Sequence, residues 1–505
     1  MLFNSLQYAI FLPIVFFLYW FVFDYALRRC QRQLLWQNLF VVIVSYVFYG
    51  WWDWRFLVLI AFTSLCSWTS GQLICRYRDK ARAVMIANVV VNLAILGLFK
   101  YFNFFVTSFC SLFGLQSESM LIRVILPVGI SFYTFQALSY SIDVYRGKII
   151  PEIPQVCANE ENESAQKDGM SSNSKRGIEA HFSSLISFMA YVSFFPQLVA
   201  GPIERATNLL PQFHRKRTFD STLAVEGMRQ ILWGLFKKMV VADNCATYVD
   251  AIWSDYSNAD AVTLAVAAIL FSFQIYGDFS GYSDIAIGSA KLFGIRLRDN
   301  FRVPYFSRSV AEFWKRWHIS LNTWFVDYVY IPLGGSRSTQ WITIRNTFVI
   351  FLLSGLWHGA NWTYVIWGLY HACLFIPLIL MKRTKAYQNV AKLSQLPQIL
   401  LTFLLASIGW IIFRAPSIAD AWQFLAVMFT GNWHCTFACF SLREILFVFA
   451  FVAFMLLVEW FTRHQEVKVP QFRQWYLNYA FYAFLIIFTY QMMSRQSGDF
   501  IYFQF

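Results

Sequence analysis

The sequence predicts an all-α protein that crosses a membrane many times, and three observations support this fold class. Hydrophobic residues make up 58% of the 505 residues and charged residues only 14%, whereas a soluble domain carries about 25% charged residues. Aromatic residues account for 20% of the chain. Apolar runs of roughly the 20 residues needed to span a bilayer follow one another along most of the sequence. We therefore expect a single membrane-embedded domain over residues 1–505.

The net charge of +13 is distributed in short clusters between the apolar runs. This pattern is typical of a membrane protein with basic cytoplasmic loops, and it argues against nucleic acid as a partner. The nine cysteines lie mostly inside apolar runs, where small buried hydrophobic residues are expected. Cys435 and Cys439 share a polar loop with His434. We expect unrelated thiols there, with a disulfide or a metal site as the alternative.

The first half of the chain contains six apolar runs that predict helices. They are Leu6–Phe23, Leu35–Trp52, Phe56–Ile74, Val84–Phe109, Val124–Val144 and Leu185–Val199. The first run has neither a basic region before it nor a small-residue cleavage site after it, so we expect a retained helix rather than a signal peptide. Basic residues at 28–32 and 76–82 place these two loops in the cytoplasm, which puts the N-terminus in the periplasm.

Two features interrupt this pattern between residues 150 and 205. Residues 152–181 are polar and poor in apolar side chains, which predicts a flexible cytoplasmic loop. The apolar run that follows ends in FFPQLVAGPI, where two prolines and a glycine break the helix, so we expect a re-entrant or half-length segment there. Such irregular backbone is tolerated at membrane depth only where protein or a cavity surrounds it.

The second half of the chain predicts one oblique segment and six crossings. The segments are Val225–Ala242, Val262–Phe293, Phe348–Leu380 with a turn at His358-Gly359, Ile399–Phe413, Leu446–Phe461 and Tyr476–Met492. The first includes Lys237 and Lys238 and is expected to lie obliquely at the inner face. The second contains Asp278 and Asp284, which are costly in a membrane unless they are paired or face water. Alternation of the crossings places the loop 414–440 and the C-terminus in the periplasm.

Two histidines in the second half are the candidate catalytic residues. The stretch Phe313–His371 contains His318 and His358 among tryptophans and apolar residues, and we expect the other five histidines to lack a comparable setting. An ionised group at the centre of a membrane helix costs roughly 2.5–3.5 kcal/mol. A neutral imidazole costs less, but its presence at that depth still requires a reason.

His358 lies in SGLWHGANW, where Gly355, Gly359 and Ala360 are expected to leave room for a thioester or a hydroxyl group. Desolvation disfavours the charged form of an imidazole, and a general base for hydroxyl attack must be neutral. The alternative is a core histidine that is hydrogen-bonded to a backbone carbonyl.

His318 lies four residues after Trp314 and four before Asn322, so the three side chains are expected to share one face of a helix. Lys315 and Arg316 point elsewhere and could hold the phosphates of a nucleotide-bearing donor at the cytoplasmic boundary. The alternative is that these two side chains only anchor the helix at that boundary.

The sequence lacks the motifs of other catalytic mechanisms. It contains no GxSxG motif, no glycine-rich phosphate loop and no HExxH motif. Two histidines 40 residues apart could bind a metal ion, but no third or fourth ligand is evident. We therefore expect no metal and no permanently bound cofactor.

Five stretches taken together resemble one enzyme family. They are LPVGISFYTFQALSYSIDVYRG, FFPQLVAGPI, GDFSGYSDIAIG, LRDNFRVPYFSRSVAEFWKRWHISLNTWFVDYVYIPLGG and LSGLWHGANWTYVIWG. FRAPSIADAW, at 413–422, matches more weakly. In this order they are similar to the membrane-bound O-acyltransferases, and specifically to the bacterial branch of alginate O-acetylase-like proteins, over residues 124–371.

The resemblance implies a fold and a set of site residues. The expected fold is a ring of about 11–13 transmembrane or re-entrant helices around a central tunnel, where a cytoplasmic acyl donor meets an acceptor from outside. His358 would be the catalytic histidine of the family, and His318 would be the second histidine of the same tunnel. Substrate-binding residues are expected beside them, at Trp314, Lys315, Arg316, Asn322, Trp357 and Asn361.

The resemblance also implies a reaction in the bacterial inner membrane. An acetyl group would pass from acetyl-CoA to hydroxyls of a cell-envelope polysaccharide such as alginate or peptidoglycan, directly or through a periplasmic partner protein. Residues 152–181 look like an insertion relative to the family pattern. Two alternatives stay open at this point: a D-alanyl transferase for teichoic acid, and a transporter whose substrate path is lined by the aspartate-containing and broken helices.

Overall fold

The computed structural model describes the chain except residues 28–29, 31, 124, 152–169, 199–200, 338, 385–386, 388, 434–440, 466–468 and 494–505, and it describes only the backbone of 170–178 and 493. The described residues form α-, π- and 3-10 helices and no β-strand. They divide into two compact units, one of Met1–Ala224 with Ala290–Leu297 and one of Val225–Ser289 with Arg298–Phe505. The His434, Cys435 and Cys439 group lies outside the described residues.

The first unit contains ten α-helices among its described residues. They are α1 Leu6–Phe17, α2 Tyr25–Leu27, α3 Gln33–Gly50, α4 Leu57–Arg76, α5 Ala81–Leu96, α6 Phe102–Phe113, α7 Ile130–Tyr145, α8 Met170–Ser193, α9 Phe195–Leu198 and α10 Ala206–Phe213. π-Helices at Leu18–Asp24 and Gly97–Tyr101 continue α1 and α5 without a break. The short 3-10 turns of this unit are Trp54–Phe56, Arg78–Lys80 and Glu118–Met120.

Buried polar contacts and small residues hold the first unit together. Asn38 on α3 donates a hydrogen bond to Ser187 on α8 at 3.1 Å. Gly71 on α4 faces the ring of Tyr140 on α7, and a Cβ atom at this position would overlap that ring. Small residues of this kind let membrane helices approach closely, which increases their van der Waals contact.

The second unit contains eleven α-helices among its described residues, and Ala261–Leu292, with 32 residues, is the longest of them. Its helices are α11 Ser221–Leu235, α12 Asp243–Ser254, α13 Ala261–Leu292, α14 Val310–Arg316, α15 Ile319–Phe325, α16 Gln340–His358, α17 Trp362–Leu380, α18 Leu396–Arg414, α19 Ile418–Thr430, α20 Leu442–Thr462 and α21 Trp475–Met493, with α11 and α13 crossing the boundary to the first unit. π-Helices lie at Phe236–Ala242 and Val326–Tyr330. The 3-10 turns are Tyr256–Asn258, Pro304–Phe306 and Leu393–Gln395.

Eight helices of the described chain are long and apolar enough to cross a membrane. They are Leu6–Leu27, Gln33–Gly50, Trp54–Arg76, Arg78–Phe113, Ala261–Leu292, Trp362–Leu380, Leu393–Arg414 and Leu442–Thr462. The predicted all-α, multi-pass class is therefore confirmed. The turn between the two predicted crossings of 348–380 is also confirmed, because α16 ends at His358 and α17 begins at Trp362.

Two segments differ from their predictions. The helix α8 begins at Met170 and runs for 24 residues, so part of the predicted flexible loop is helical. The re-entrant or half-length segment predicted at 185–199 stays a prediction. Its backbone breaks before Pro196, because proline has no N–H to continue the helix. The predicted periplasmic loop 414–440 contains the helix α19, whose first turn is capped by Ser417.

The segment 225–242, whose predicted oblique position at the inner face stays a prediction, contributes two side chains to a buried charged group. Its two lysines belong to a buried group that we call the lysine–aspartate cluster: Lys237, Lys238, Asp243, Asp278 and Asp284. Lys237 Nζ lies 2.5 Å from Asp284 Oδ2, and Lys238 Nζ lies 2.6 Å from Asp278 Oδ1 and 2.8 Å from Asp243 Oδ1. Both lysines are 1% exposed. The aspartates of α13 are therefore paired, one of the two conditions predicted to make them tolerable.

Close packing of glycines brings the two sides of this cluster together. Gly234 faces Gly281 on α13, and Gly277 lies beside the carbonyl of Lys237, which is 3.0 Å from the place a Cβ would take. The backbones of α13 and Phe236–Ala242 thus approach closely enough for short ion pairs to form between them.

Candidate active site

The first candidate histidine lies at a break between two short helices. α14 ends at Arg316 and α15 begins at Ile319, and His318 between them has φ 44° and ψ 53°. This left-handed conformation costs of the order of 1–3 kcal/mol in a residue other than glycine, so surrounding contacts must impose it. The prediction that Trp314, His318 and Asn322 share one face of a continuous helix is therefore wrong.

Asn322 fixes one side of the break. Its Nδ2 donates to the carbonyl oxygens of Trp314 and Trp317, each at 2.6 Å. Carbonyls at the end of a helix lack partners within that helix, and here the amide supplies them. Asn322 thus has a structural role in joining α14 to α15, and its predicted contact with substrate stays a prediction.

The segment before the 3-10 turn Pro304–Phe306 fixes the other side of the break. The backbone N–H of Arg302 donates to the carbonyl of Arg316 at 2.9 Å, and the N–H of Ile319 donates to the carbonyl of Asn300 at 2.9 Å. Arg316 and Ile319, on either side of His318, are therefore hydrogen-bonded to the same segment, residues 300–302. These bonds hold the left-handed turn.

The two nitrogens of the His318 imidazole differ in their hydrogen-bond contacts. Its Nδ1 lies 3.0 Å from Asn300 Oδ1, whereas its Nε2 has no hydrogen-bond partner among the residues that the structure describes. The residue is 1% exposed and lies outside the eight candidate spans. Burial lowers the pKa of the His318 imidazole to about 3, because desolvation disfavours its charged form. The ring is therefore neutral at physiological pH.

The second candidate histidine, His358, is the last residue of α16. The turn after it is fixed by Asn361, whose Oδ1 accepts from the N–H of Thr363 at 3.0 Å and whose Nδ2 donates to the carbonyl of Pro416 at 3.0 Å. Asn361 thus caps α17 and determines the direction in which the chain leaves His358. Its predicted contact with substrate stays a prediction.

The two histidines, which we call the histidine pair, lie among aromatic rings. The centroids of the His318 and His358 rings are 6.4 Å apart. Trp357 contacts both, at 5.7 Å from His318 and 5.1 Å from His358. Trp367 and Phe413 lie 5.1 Å and 5.3 Å from His358. The fold therefore brings together three of the predicted site residues, in surroundings that exclude bulk water.

The two glycines beside His358 do not leave the space that was predicted for substrate. A Cβ atom at Gly355 would overlap the backbone carbonyl of Tyr364, and one at Gly359 would overlap the Tyr364 ring. The two glycines therefore allow α16 and α17 to pack closely. The space beside them is filled by the protein, and His358 is only 4% exposed.

The predicted phosphate-binding residues occupy the last turn of α14. Lys315 is exposed, and its Nζ donates to the carbonyl of Thr384 at 2.9 Å. Arg316 forms an ion pair at 2.7 Å with Glu312, whose carboxylate also binds Arg308. Arg316 is thus partly neutralised by its own helix, while Lys315 keeps an accessible charge.

A third buried histidine corrects the expectation that no other histidine shares this setting. His371 on α17 is 1% exposed, and its Nδ1 accepts a hydrogen bond from Trp314 Nε1 at 3.3 Å. Its ring lies 5.1 Å from Trp367, which also contacts His358. The signal in the sequence is that His371 follows Trp367 by four residues, one helical turn.

Asn300 is the second residue that the sequence reasoning missed. It is fully buried, and its side chain contacts His318 and Ser320. The residue lies within the LRDNF motif, but nothing in its spacing from His318 indicates a contact, because the chain turns back between them.

Three known proteins to which this chain is similar differ in how much of the chain they match. The chain is 37% identical over 449 residues to a probable alginate O-acetylase, AlgI, of Pseudomonas aeruginosa, covering 86% of this chain and 79% of the relative. It is 33% identical over 443 residues to the peptidoglycan O-acetyltransferase of Helicobacter pylori, covering 85% and 80%. It is 30% identical over 193 residues to the teichoic acid D-alanyltransferase of Bacillus subtilis, covering only 36% and 49%.

The family profile of the membrane-bound O-acyltransferases matches residues 111–415. This range contains the histidine pair, Asn300 and His371. The alignments with the alginate and peptidoglycan O-acetylation proteins cover most of the chain, including segments on either side of that range. The chain therefore belongs to the membrane-bound O-acyltransferase family and is a multi-pass membrane enzyme that transfers acyl groups to oxygen.

Proposed function

We propose that this enzyme transfers an acetyl group from acetyl-CoA to hydroxyl groups of a cell-envelope polysaccharide. The relatives that cover most of the chain are named for O-acetylation of alginate and of peptidoglycan, which supports both an acetyl group and a polysaccharide acceptor. Delivery is direct or through a periplasmic partner protein. We place the enzyme in the bacterial inner membrane with both termini in the periplasm, on the distribution of basic loops.

The observation that carries the proposal is a pair of buried imidazoles 6.4 Å apart within the part of the chain that matches the family. A hydroxyl group attacks a thioester only when its proton is removed and competing water is kept away. A neutral imidazole supplies the base, and the aromatic side chains around the pair keep water out. A positioned base contributes on the order of 10²–10⁴-fold in rate.

We assign the proton transfers to His358. A ring nitrogen of His358 takes the proton of the acceptor hydroxyl as its oxygen forms a bond to the thioester carbonyl carbon. The carbon–sulfur bond then breaks, and the thiolate takes the proton from His358 to leave as free CoA. The products are an O-acetyl ester and a thiol, and the imidazole returns to its neutral form.

Donor binding is assigned to the end of α14. CoA carries phosphates, and Lys315 offers an exposed ammonium group close along the chain to His318. Arg316 adds a guanidinium group whose charge is shared with Glu312. On the proposed orientation this end of the helix faces the cytoplasm, where acetyl-CoA is found.

The experiment compares envelope glycans from a deletion strain complemented with wild-type enzyme or with His358→Ala. Mass spectrometry of the glycans should show ester groups with the wild type and the level of the deletion strain with the variant, at equal amounts of protein in the membrane. The matched control is His464→Ala, which removes an exposed histidine and should restore the wild-type level. Wild-type ester content with His358→Ala would overturn the assignment.

The same spectra separate the two alternatives. The mass of the ester group distinguishes acetyl from D-alanyl transfer, the activity named for the shorter match. A transporter would keep moving its substrate without the His358 imidazole, so loss of the esters in that variant also argues against transport as the primary activity.

A further inference from the structure

We propose that Asn300 is a positioning residue that fixes the His318 ring as its Nδ1–H tautomer, so that Nε2 presents a lone pair to an O–H or N–H group of substrate. This inference deepens the proposed function and rests on it for the identity of the substrate. It assigns a role to a residue that makes no contact with the reacting atoms.

The orientation of the Asn300 amide follows from its neighbours. Its Oδ1 lies 2.9 Å from Ser320 Oγ and 3.4 Å from the backbone nitrogen of Ser320. A backbone N–H can only donate a hydrogen bond, so the atom that faces it is the amide oxygen. The amide nitrogen then points the other way, where it donates to Ser283 Oγ on α13 at 3.2 Å.

The tautomer of His318 follows from the amide. Asn300 Oδ1 can only accept a hydrogen bond, and it lies 3.0 Å from His318 Nδ1. The hydrogen must therefore reside on Nδ1, and in a neutral imidazole the other nitrogen is then an acceptor. Nε2 has no partner among the described residues, and a buried acceptor without a partner is costly. A substrate donor group would satisfy it.

The backbone supports the same arrangement. The carbonyl of Asn300 accepts from the N–H of Ile319, so one residue holds both the chain after His318 and its ring. A left-handed residue can persist at a functional site when several contacts impose the same conformation on it. Among the described ring contacts of His318, the one titratable group is His358, and burial is the cause that lowers the pKa of His318.

The contrast with His371 shows that the tautomer is set locally. His371 Nδ1 accepts a hydrogen bond from Trp314 Nε1, and an indole N–H can only donate. In the neutral ring the hydrogen of His371 therefore lies on Nε2, the reverse of His318. Two buried histidines in one unit are thus held in opposite tautomers by their Nδ1 partners.

The direct test is nitrogen NMR of histidine-labelled enzyme in lipid bilayers. The His318 signals are identified by their disappearance in His318→Gln. In the wild type we expect a protonated Nδ1 and an unprotonated Nε2. A protonated Nε2 with a bare Nδ1 would overturn the proposal. This readout needs no substrate, so the tautomer can hold even where the proposed acetyl transfer fails, and the two failures are distinguishable.

The functional test uses Asn300→Asp, which keeps the acceptor oxygen and adds a negative charge. A carboxylate beside Nδ1–H raises the pKa of His318, so the ring gains a proton on Nε2 as pH falls and loses its acceptor. We expect kcat/KM for acetyl-CoA to fall at least tenfold below the raised pKa and to recover above it, whereas the wild type shows no such step between pH 5 and 8. A wild-type pH profile in a folded Asn300→Asp enzyme would overturn the proposal.

A milder pair of variants guards against misfolding. Ser283→Ala removes the acceptor that orients the Asn300 amide, and we expect it to give mixed tautomer signals and a several-fold loss of kcat/KM. The matched control is Ser272→Ala on the same helix, where a buried serine is bonded to Ser407; wild-type signals are expected there. Unmixed wild-type signals in Ser283→Ala would contradict the orienting role of that serine and with it the proposed relay to His318.

Discussion

The second unit contains two buried polar groups of opposite character. In the lysine–aspartate cluster each ammonium group meets a carboxylate at 2.5–2.8 Å, and further donors add to it, such as Gln230, which donates to Asp284 at 2.9 Å. In the histidine pair, the rings are surrounded by aromatic carbon, and the Nε2 atom of His318 has no partner among the described residues.

The difference separates groups that hold the fold from groups that can react. A buried charge is tolerated when its counter-ion and hydrogen bonds offset its desolvation, so the charges of the cluster serve to compensate one another. A neutral imidazole is less costly to bury and can keep one nitrogen available. We therefore expect variants of the cluster to affect stability and variants of the histidine pair to affect activity.

The largest effect on stability is expected from breaking one ion pair of the cluster. Asp284→Leu leaves the Lys237 ammonium buried without its closest carboxylate, which should cost about 3–5 kcal/mol. The double variant with Lys237→Met should be more stable than the single one, because it removes both charges. Thermal unfolding in detergent, followed by gel filtration, measures both. If the double variant were as unstable as the single one, the charge-pairing explanation would fail.

A smaller effect on stability is expected at the turn beside the histidine pair. Gly359→Ala places a methyl group against the Tyr364 ring, and such overpacking costs about 1–3 kcal/mol. Acetyl transfer should fall as well, because α17 must shift relative to His358. The matched control is Gly97→Ala, where the added Cβ would meet no described residue within 4 Å apart from its chain neighbours and the backbone of its own helix. Equal melting temperatures for these two variants would contradict the role of Gly359 in packing.

The smallest effect is expected from the charges at the end of α14. The double variant Lys315→Gln, Arg316→Gln should weaken binding of acetyl-CoA several-fold. Little change in stability is expected, because the buried Glu312 carboxylate keeps its ion pair with Arg308. The affinity is measured by titration calorimetry at low and moderate salt, and the difference between variant and wild type should shrink as salt screens the charges. Unchanged affinity at low salt would return both residues to the role of membrane anchors.

The length of the apolar runs was sufficient to predict most of the fold. The helices α3, α13, α18 and α20 lie within a few residues of their predicted runs, since an apolar run of this length has few other stable states in a bilayer. Partners of buried polar residues could not be predicted in the same way, because tertiary contacts pair them. Lys237 and Lys238 pair with Asp284 and Asp278, which lie 40 or more residues further along the chain.

The sequence by itself determined the class, the family and the two histidines, because composition, apolar run length and ordered motifs are properties of the linear chain. Only the tertiary structure decided that His318 sits in a left-handed turn and that Asn300 contacts its ring. It also decided that Gly355 and Gly359 pack against the backbone and the ring of Tyr364. The physical reason is that a ring nitrogen acquires its role from the one donor or acceptor placed about 3 Å from it, and chain folding rather than sequence spacing makes that placement.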